Sequence, residues 1–364
     1  MKQKICIIGA GNIGIPIAVD FSYNNNYKVF LYTKKECLKT KRLSYYDIDS
    51  GKTVESKDLI ITDVLSEACN NSNLIIVTYP SFLIESLIKS ISEYTFETVF
   101  FIPGYGGKDL ISYKYLGEKC NIAGLDRAPY ISRLNTETNA SISKKKKLRL
   151  ATLKKEHSEK TKKQLEELFK VPCEILNNYL TVNLTPSNPI LHTSRIYSLL
   201  KDKTYEHGFE RQIKFYKEWD NIASELMIKM DNELHDLIKA IPINLSEVIP
   251  LTIHYESKTV DEMTKKISGI KSFSEINAPL VYDSITNKYL IDFSSRYFNE
   301  DFPFGLKILM EYASICDVKT PTMNKIYKWF EDFILNAQIT LKQNFELQNY
   351  GLLSKKNIID FYSN

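Results

Sequence analysis

The sequence predicts an α/β chain: an N-terminal doubly wound sheet followed by an all-α second domain. Three observations carry that expectation. Short apolar runs alternate with helical spacing through the first half; a Gly-x-Gly-x-x-Gly run joins the first strand to the first helix; and after about Tyr179 long helical stretches replace the strand signals. At 364 residues the chain exceeds what one core fills, so two domains are expected, 1–178 and 179–364.

In chain order, residues 4–8 read as a buried strand, 12–22 as a helix and 28–32 as a second strand. Residues 63–70 form a short helix, 74–78 a strand, 82–91 an amphipathic helix and 98–102 another strand. Such alternation implies parallel pairing through right-handed crossovers. Residues 140–153 read as a hairpin with Lys144-Lys145-Lys146-Lys147 at its turn, a solvated run because no aromatic residue interleaves with it. A charged helix is expected over 158–169. Stretches 209–241, 304–316 and 323–348 have helical spacing with few breakers, which makes the second domain helical.

Composition narrows the function classes. A charged fraction of 25% and a hydrophobic fraction of 43% suit a soluble globular protein, and a net charge of +4 argues against a nucleic-acid partner. The longest apolar runs, such as 74–77 and 99–102, are strand-sized, so no membrane partner is expected. The chain enters its first strand within a few residues, so no signal peptide is expected either. Six cysteines without a CxxC pair fit reduced thiols, a cytoplasmic location and no metal site.

Gly9-Ala10-Gly11-Asn12-Ile13-Gly14 follows the first strand and opens the first helix. The first glycine serves the tight turn, the second the approach of a pyrophosphate, and the third the packing of helix on strand. The phosphates would sit on the helix N-terminus, making Gly9, Gly11, Asn12, Ile13 and Gly14 cofactor-binding candidates in a Rossmann-like domain. An NAD site usually ends its second strand on a carboxylate; here that strand runs into Thr33-Lys34-Lys35, with no acid until Glu36. Thr33, Lys34 and Lys35 would welcome a 2′-phosphate, so NADP is preferred and NAD possible; the other reading leaves both lysines as solvated loop residues. Pro80, after the strand at 74–78, and Gly104, in the glycine loop at 101–107, are further candidates beside the cofactor. That glycine loop reads equally as an ordinary tight turn.

Of five histidines, His192 stands out at the start of the second domain, in a Thr-Pro-Ser-Asn-Pro context. His157, His207 and His235 lie in charged, surface-like surroundings, and His254 on a short apolar segment. A lone histidine is more often a packing residue than a catalyst. Late in the chain, Arg296-Tyr297-Phe298-Asn299-Glu300-Asp301 puts a guanidinium and two carboxylates within six residues. The arginine fork suits a planar carboxylate, although an Arg296–Asp301 salt bridge holding a loop would give the same pattern.

These residues together resemble the opine dehydrogenases of the octopine/nopaline dehydrogenase type. The likeness runs through the glycine signature, Pro129-Tyr130-Ile131-Ser132-Arg133, Asn188-Pro189 with His192, Phe215-Tyr216-Lys217-Glu218 and Asp231-Asn232-Glu233. It continues through Arg296 to Asp301 with Pro303 and Gly305, and closes on Thr320-Pro321. The resemblance implies a Rossmann domain, a helical domain, and substrates between them. It also implies a reaction: an amino acid condenses with a 2-oxo acid, commonly pyruvate, and NAD(P)H reduces the resulting imine. His192 and Asp301 are then the acid/base pair, with Glu300 an alternative partner, and Arg296 holds a substrate carboxylate. Tyr130 and Arg133 are further substrate-binding candidates. Two departures, Gly124-Leu125-Asp126-Arg127-Ala128 and Thr193, bear on the pocket rather than on the chemistry.

Two rivals remain at this point. A 2-oxo compound reductase of the ketopantoate reductase or glycerol-3-phosphate dehydrogenase sort would use a lysine of the helical domain as its acid. A non-catalytic NADP-sensing protein would lack a coherent His, Asp and Arg set. A homodimer is one expectation for the assembly.

Overall fold

The computed structural model describes residues 2–38 and 42–363. The chain divides into two compact units, one running through Thr185 and taking back the chain from Tyr362, the other spanning Pro186–Phe361.

The strands of the first unit, in chain order, are β1 (Gln3–Ile8), β2 (Tyr27–Tyr32), β3 (Ser44–Asp47), β4 (Lys52–Glu55), β5 (Leu59–Thr62) and β6 (Leu74–Val77). They continue with β7 (Thr98–Phe101), β8 (Asn121–Leu125), β9 (Tyr130–Leu134), β10 (Asn139–Lys144), β11 (Leu148–Thr152) and β12 (Cys173–Ile175). Eight of them form one sheet in the order β12-β11-β8-β7-β6-β1-β2-β5. All neighbours are parallel except β8 and β11. The buried residues of β1, β6 and β7 are almost wholly apolar because both faces of a doubly wound sheet are covered. The order turns at β1 and β6, and the loop after β1 lies at that turning point, where such sheets bind ligands.

The helices of this unit are α1 (Gly14–Phe21), α2 (Leu65–Cys69), α3 (Ile84–Ile91), α4 (Lys108–Leu116), α5 (Ser158–Phe169) and α6 (Tyr179–Leu184). α6 belongs here, beyond the expected boundary at 178. The Tyr179 hydroxyl donates to the Gly104 carbonyl at 3.2 Å, and Asn183 and Tyr362 both donate to the buried carboxylate of Asp109, at 2.9 and 2.7 Å.

The expected hairpin at 140–153 does not form. β10 pairs with β3 and β9 in a separate four-stranded sheet, β4-β3-β10-β9, whereas β11 pairs with β8 and β12 in the main sheet. The lysine run is therefore a crossing between sheets rather than a solvated turn. Lys144 reaches in to both carboxylate oxygens of Asp20 at 2.9 Å, and Lys145 is half-buried, which pushes its ammonium down to about 8.

The second unit holds α7 (Asn188–Leu200), α8 (Asn221–Ala240), α9 (Leu251–His254), α10 (Val260–Ser268), α11 (Lys307–Ile315) and α12 (Pro321–Asn336). A ten-residue π-helix, Tyr297–Leu306, runs directly into α11. The unit also contains a small antiparallel hairpin, β13 (Leu280–Asp283) and β14 (Lys288–Ile291), so it is helical with one β excursion. Helix α8 begins at Asn221, well after the expected 209, because Asp220 caps it through the Ala223 N–H at 2.7 Å. The preceding segment is extended enough to bridge Phe209 to Tyr289 and Lys214 to Asn277.

Candidate active site

In the first unit the glycine signature forms the tight turn between β1 and α1. Gly9 has φ +110°, and a Cβ there would lie 2.5 Å from Thr78 Oγ1. A Cβ on Gly14 would sit 1.7 Å from the Gly9 carbonyl oxygen, so glycine alone lets α1 start against β1. A Cβ on Gly11 meets nothing within 4 Å. The main chain there borders open space in front of a helix N-terminus, so these residues fit a dinucleotide pyrophosphate.

The other first-unit candidates fall into two groups. Lys35 folds back so that its ammonium donates to the Ala10 carbonyl at 3.2 Å, setting a cation on the glycine loop. Lys34 is exposed beside it, and the Thr33 hydroxyl accepts from the Lys35 N–H at 3.2 Å, fixing the turn. Pro80 opens the loop after β6, and the buried Lys108 clips that loop to the one after β7 by donating to Tyr79 O at 3.2 Å and Pro103 O at 3.0 Å. Lys108 carried no sequence signal beyond its loop.

For the remaining candidates the structure supplies packing reasons instead. Asn12 spends its side-chain oxygen on the Leu134 N–H at 2.7 Å, while its carbonyl accepts from Ser132 at 2.5 Å, so β9 braces the loop. Ile13 packs on the core. Gly104 is buried, and a Cβ there would lie 2.6 Å from Val182 Cγ1, so α6 demands the glycine. Tyr130, expected to bind substrate, is buried and donates to Asp20 at 2.6 Å. Arg133 alternates with Ser132 along β9; because Ser132 turns to Asn12, Arg133 points to the opposite, exposed face.

In the second unit the expected His192 and Asp301 do meet. The Pro189 ring and Gly305 set their approach, since a Cβ on Gly305 would come within 2.9 Å of Pro189. One turn on from Pro189 along α7 is His192; one turn before Gly305 in the π-helix is Asp301. His192 Nδ1 lies 2.8 Å from Asp301 Oδ2, and its Nε2 lies 2.8 Å from the hydroxyl of Tyr216. Tyr297 and Phe215 close on the imidazole edge-on, with ring centroids 4.8 and 5.7 Å away. His235, expected at the surface, is instead half-buried on α8.

Asp301 is fully buried, and its other oxygen has no hydrogen-bond partner. Burial pushes its carboxyl up from the ordinary value, while the charge and hydrogen bond of His192 pull it down.

Arg296 does not pair with Asp301. Its Nε donates to Glu300 Oε2 at 2.7 Å, with the arginine side chain 60% exposed and the glutamate 1%. The two carboxylates thus divide the work: Glu300 steadies the guanidinium and Asp301 takes the histidine. Asp231 and Glu233 of α8, also singled out by the sequence, are architectural. Asp231 accepts from the Leu251 N–H at 2.7 Å, and Glu233 caps α12 through Thr322 and Met323 at 2.6 and 3.0 Å.

Residues 175–334 match the family described as NAD/NADP octopine/nopaline dehydrogenase, alpha-helical domain. Over that segment the chain is similar to the opine dehydrogenases. Among its relatives, the opine dehydrogenase of Haliotis discus hannai is 25% identical over 306 residues, covering 78% of this chain and 75% of that protein. The fold is also that of octopine dehydrogenase solved with NADH and L-arginine, with TM-score 0.78 at 18% identity and 98% of each chain covered. Yersinopine dehydrogenase with NADP+ bound superposes with TM-score 0.71 at 14% identity, again over 98% of each chain. Among the described residues no helix is long and apolar enough to cross a membrane, and no group of three His, Cys, Asp or Glu side chains could hold a metal ion.

Proposed function

We propose that this protein joins an amino acid to a small 2-oxo acid, pyruvate being the first to try, and reduces the resulting imine with NADPH. The observation that carries this reading is the 2.8 Å pair of His192 and Asp301 within an aromatic enclosure. Likeness to the opine dehydrogenases and the glycine loop of the first unit support it.

The loop at Gly9, Gly11 and Gly14, with the first turn of α1, would hold the pyrophosphate, and Lys34 and Lys35 a 2′-phosphate. Bound there, the reduced nicotinamide supplies a hydride. In the second unit Arg296, steadied by Glu300, would hold the oxo-acid carboxylate and turn the substrate carbon to one face. Condensation needs a proton donated to the departing hydroxyl near neutral pH, which suits an imidazole oriented by a buried carboxylate. The Tyr297 and Phe215 rings keep water from that exchange.

The test mixes NADPH or NADH, a panel of 2-oxo acids and a panel of amino acids, and follows the loss of reduced-cofactor absorbance. Oxidation that requires both an oxo acid and an amine is expected, faster with NADPH. Oxidation by an oxo acid alone would make the protein a simple reductase, and none with any pair would refute the proposal.

A further inference from the structure

The hydroxyl of Tyr216 sits 2.8 Å from His192 Nε2, the nitrogen that Asp301 leaves for chemistry. With Nδ1 on Asp301 and Nε2 on Tyr216, both ring nitrogens are engaged. A substrate can reach the imidazole either by displacing the phenol or by using it.

The surroundings of Tyr216 favour use. Its ring stacks on Trp219 at 6.2 Å with 8° between planes, and lies 4.7 Å from Phe273 and 5.0 Å from Phe215. Its backbone is held on both sides. The Phe215 N–H donates to Ile276 O at 2.7 Å, and Arg195, buried one turn beyond His192 on α7, donates to Phe215 O at 3.1 Å and Glu218 O at 2.6 Å. Asp220 fixes that guanidinium at 2.5 Å. A side chain clamped on its ring and through its flanking carbonyls does not swing aside.

We propose that Tyr216 is a catalytic acid/base in its own right, the group through which His192 exchanges its proton with the substrate. The inference rests on the oxo-acid and amine chemistry proposed above. In the dehydration step the phenol gives its O–H proton to the hydroxyl of the carbinolamine. The C–O bond breaks, its electron pair leaves with the oxygen as water, and the nitrogen lone pair forms the C=N bond. The imidazolium passes its Nε2 proton to the phenol oxygen, so tyrosine is restored and histidine ends neutral. No oxidant or reductant enters this step. Arg195 is the positioning residue that holds the relay in line.

Tyr216→Phe keeps the ring and its stacking but removes the relay. It is expected to lower kcat by about 10²-fold or more, with cofactor affinity unchanged and the KM for the oxo acid within a few-fold. Replacing Tyr216 with 3-fluorotyrosine, a more acidic phenol, should move one limb of the kcat–pH profile to lower pH, which a merely structural ring would not do. An unchanged or raised kcat in Tyr216→Phe would mean that substrate displaces the phenol, and overturns the relay. A third readout needs no turnover: in ¹⁵N spectra of the histidine ring, Tyr216→Phe should shift the Nε2 resonance of His192 and spare Nδ1. An unmoved Nε2 overturns the contact itself. If the unaltered protein turns over no oxo acid and amine pair, the functional reading fails, while the spectra still decide whether Tyr216 caps the imidazole.

Discussion

Asp301→Asn tests the site most directly, because it keeps the shape of the side chain and removes one charge. The carboxylate faces the imidazole at 2.8 Å between nitrogen and oxygen, which puts the two charge centres about 4 Å apart. At an effective dielectric of about 20, an ion pair at that separation is worth about 4 kcal/mol. If that attraction is present when the imidazole carries its proton and absent when it does not, the charged state loses about three powers of ten. Steady-state turnover at saturating cofactor and substrates should therefore fall about 10³-fold. Cofactor affinity, read from quenching of protein fluorescence, should stay the same, since the glycine loop belongs to the other unit. Stability should not fall, because burial destabilises this carboxylate and an amide removes the cost. A variant that keeps kcat within five-fold of the unaltered protein would refute the charge argument.

Three other outcomes follow from geometry already described. Gly11→Ala should fold normally and weaken dinucleotide binding about ten-fold or more, whereas Gly14→Ala, whose Cβ would lie 1.7 Å from a carbonyl oxygen, should lower Tm; equal behaviour of the two would contradict the assigned roles. Arg296→Lys should raise the KM for the oxo acid with little change in that for the cofactor, since an ammonium cannot reproduce a fork anchored on Glu300; an unchanged oxo-acid KM would remove Arg296 from the carboxylate. The Asp231 carboxyl is pushed up from 3.8 to about 7, first by burial, with the Leu251 N–H pulling the other way. A carboxyl that holds its proton more tightly when folded favours folding at low pH, and that contribution disappears as pH rises from about 4 through 7. The displacement corresponds to about 4 kcal/mol, so Asp231→Asn should be relatively more stable at pH 8 than at pH 5. Thermal unfolding with the same pH slope in both proteins would contradict this.

The central strands β1, β2, β6 and β7 were legible because they are apolar and buried and because the glycines after β1 have steric duties that no other residue can meet; β5, β8 and β12 of the same sheet were not. The helix at 158–169 was read to its ends for a similar reason, since charge and apolar spacing agree there. The short strands β3, β4 and β9 were not visible. With β10 they form the second sheet, whose exposed faces dilute the alternation, and β9 is tied in through contacts with Asn12 and Asp20 more than a hundred residues away. The same distance effect governs the site. His192 and Asp301 lie 109 residues apart and were paired through the family resemblance, not through spacing. The Arg296–Glu300 pair has ordinary i,i+4 helical spacing, whereas the contact of Asp301 with His192 comes from a distant helix that spacing cannot foresee. Tyr216 was hidden among aromatic neighbours that look like core, and Arg195 among the apolar residues of α7, because the sequence does not reveal which carbonyls a buried guanidinium will find.

The missing side chain at Gly305 acts as a spacer of zero thickness between two rods. Adding one methyl group there would force the rods apart by a few tenths of an ångström, and the acid–imidazole contact that joins them lies one turn away. The spacing of that contact thus depends on a van der Waals gap closed by a residue with no side chain of its own.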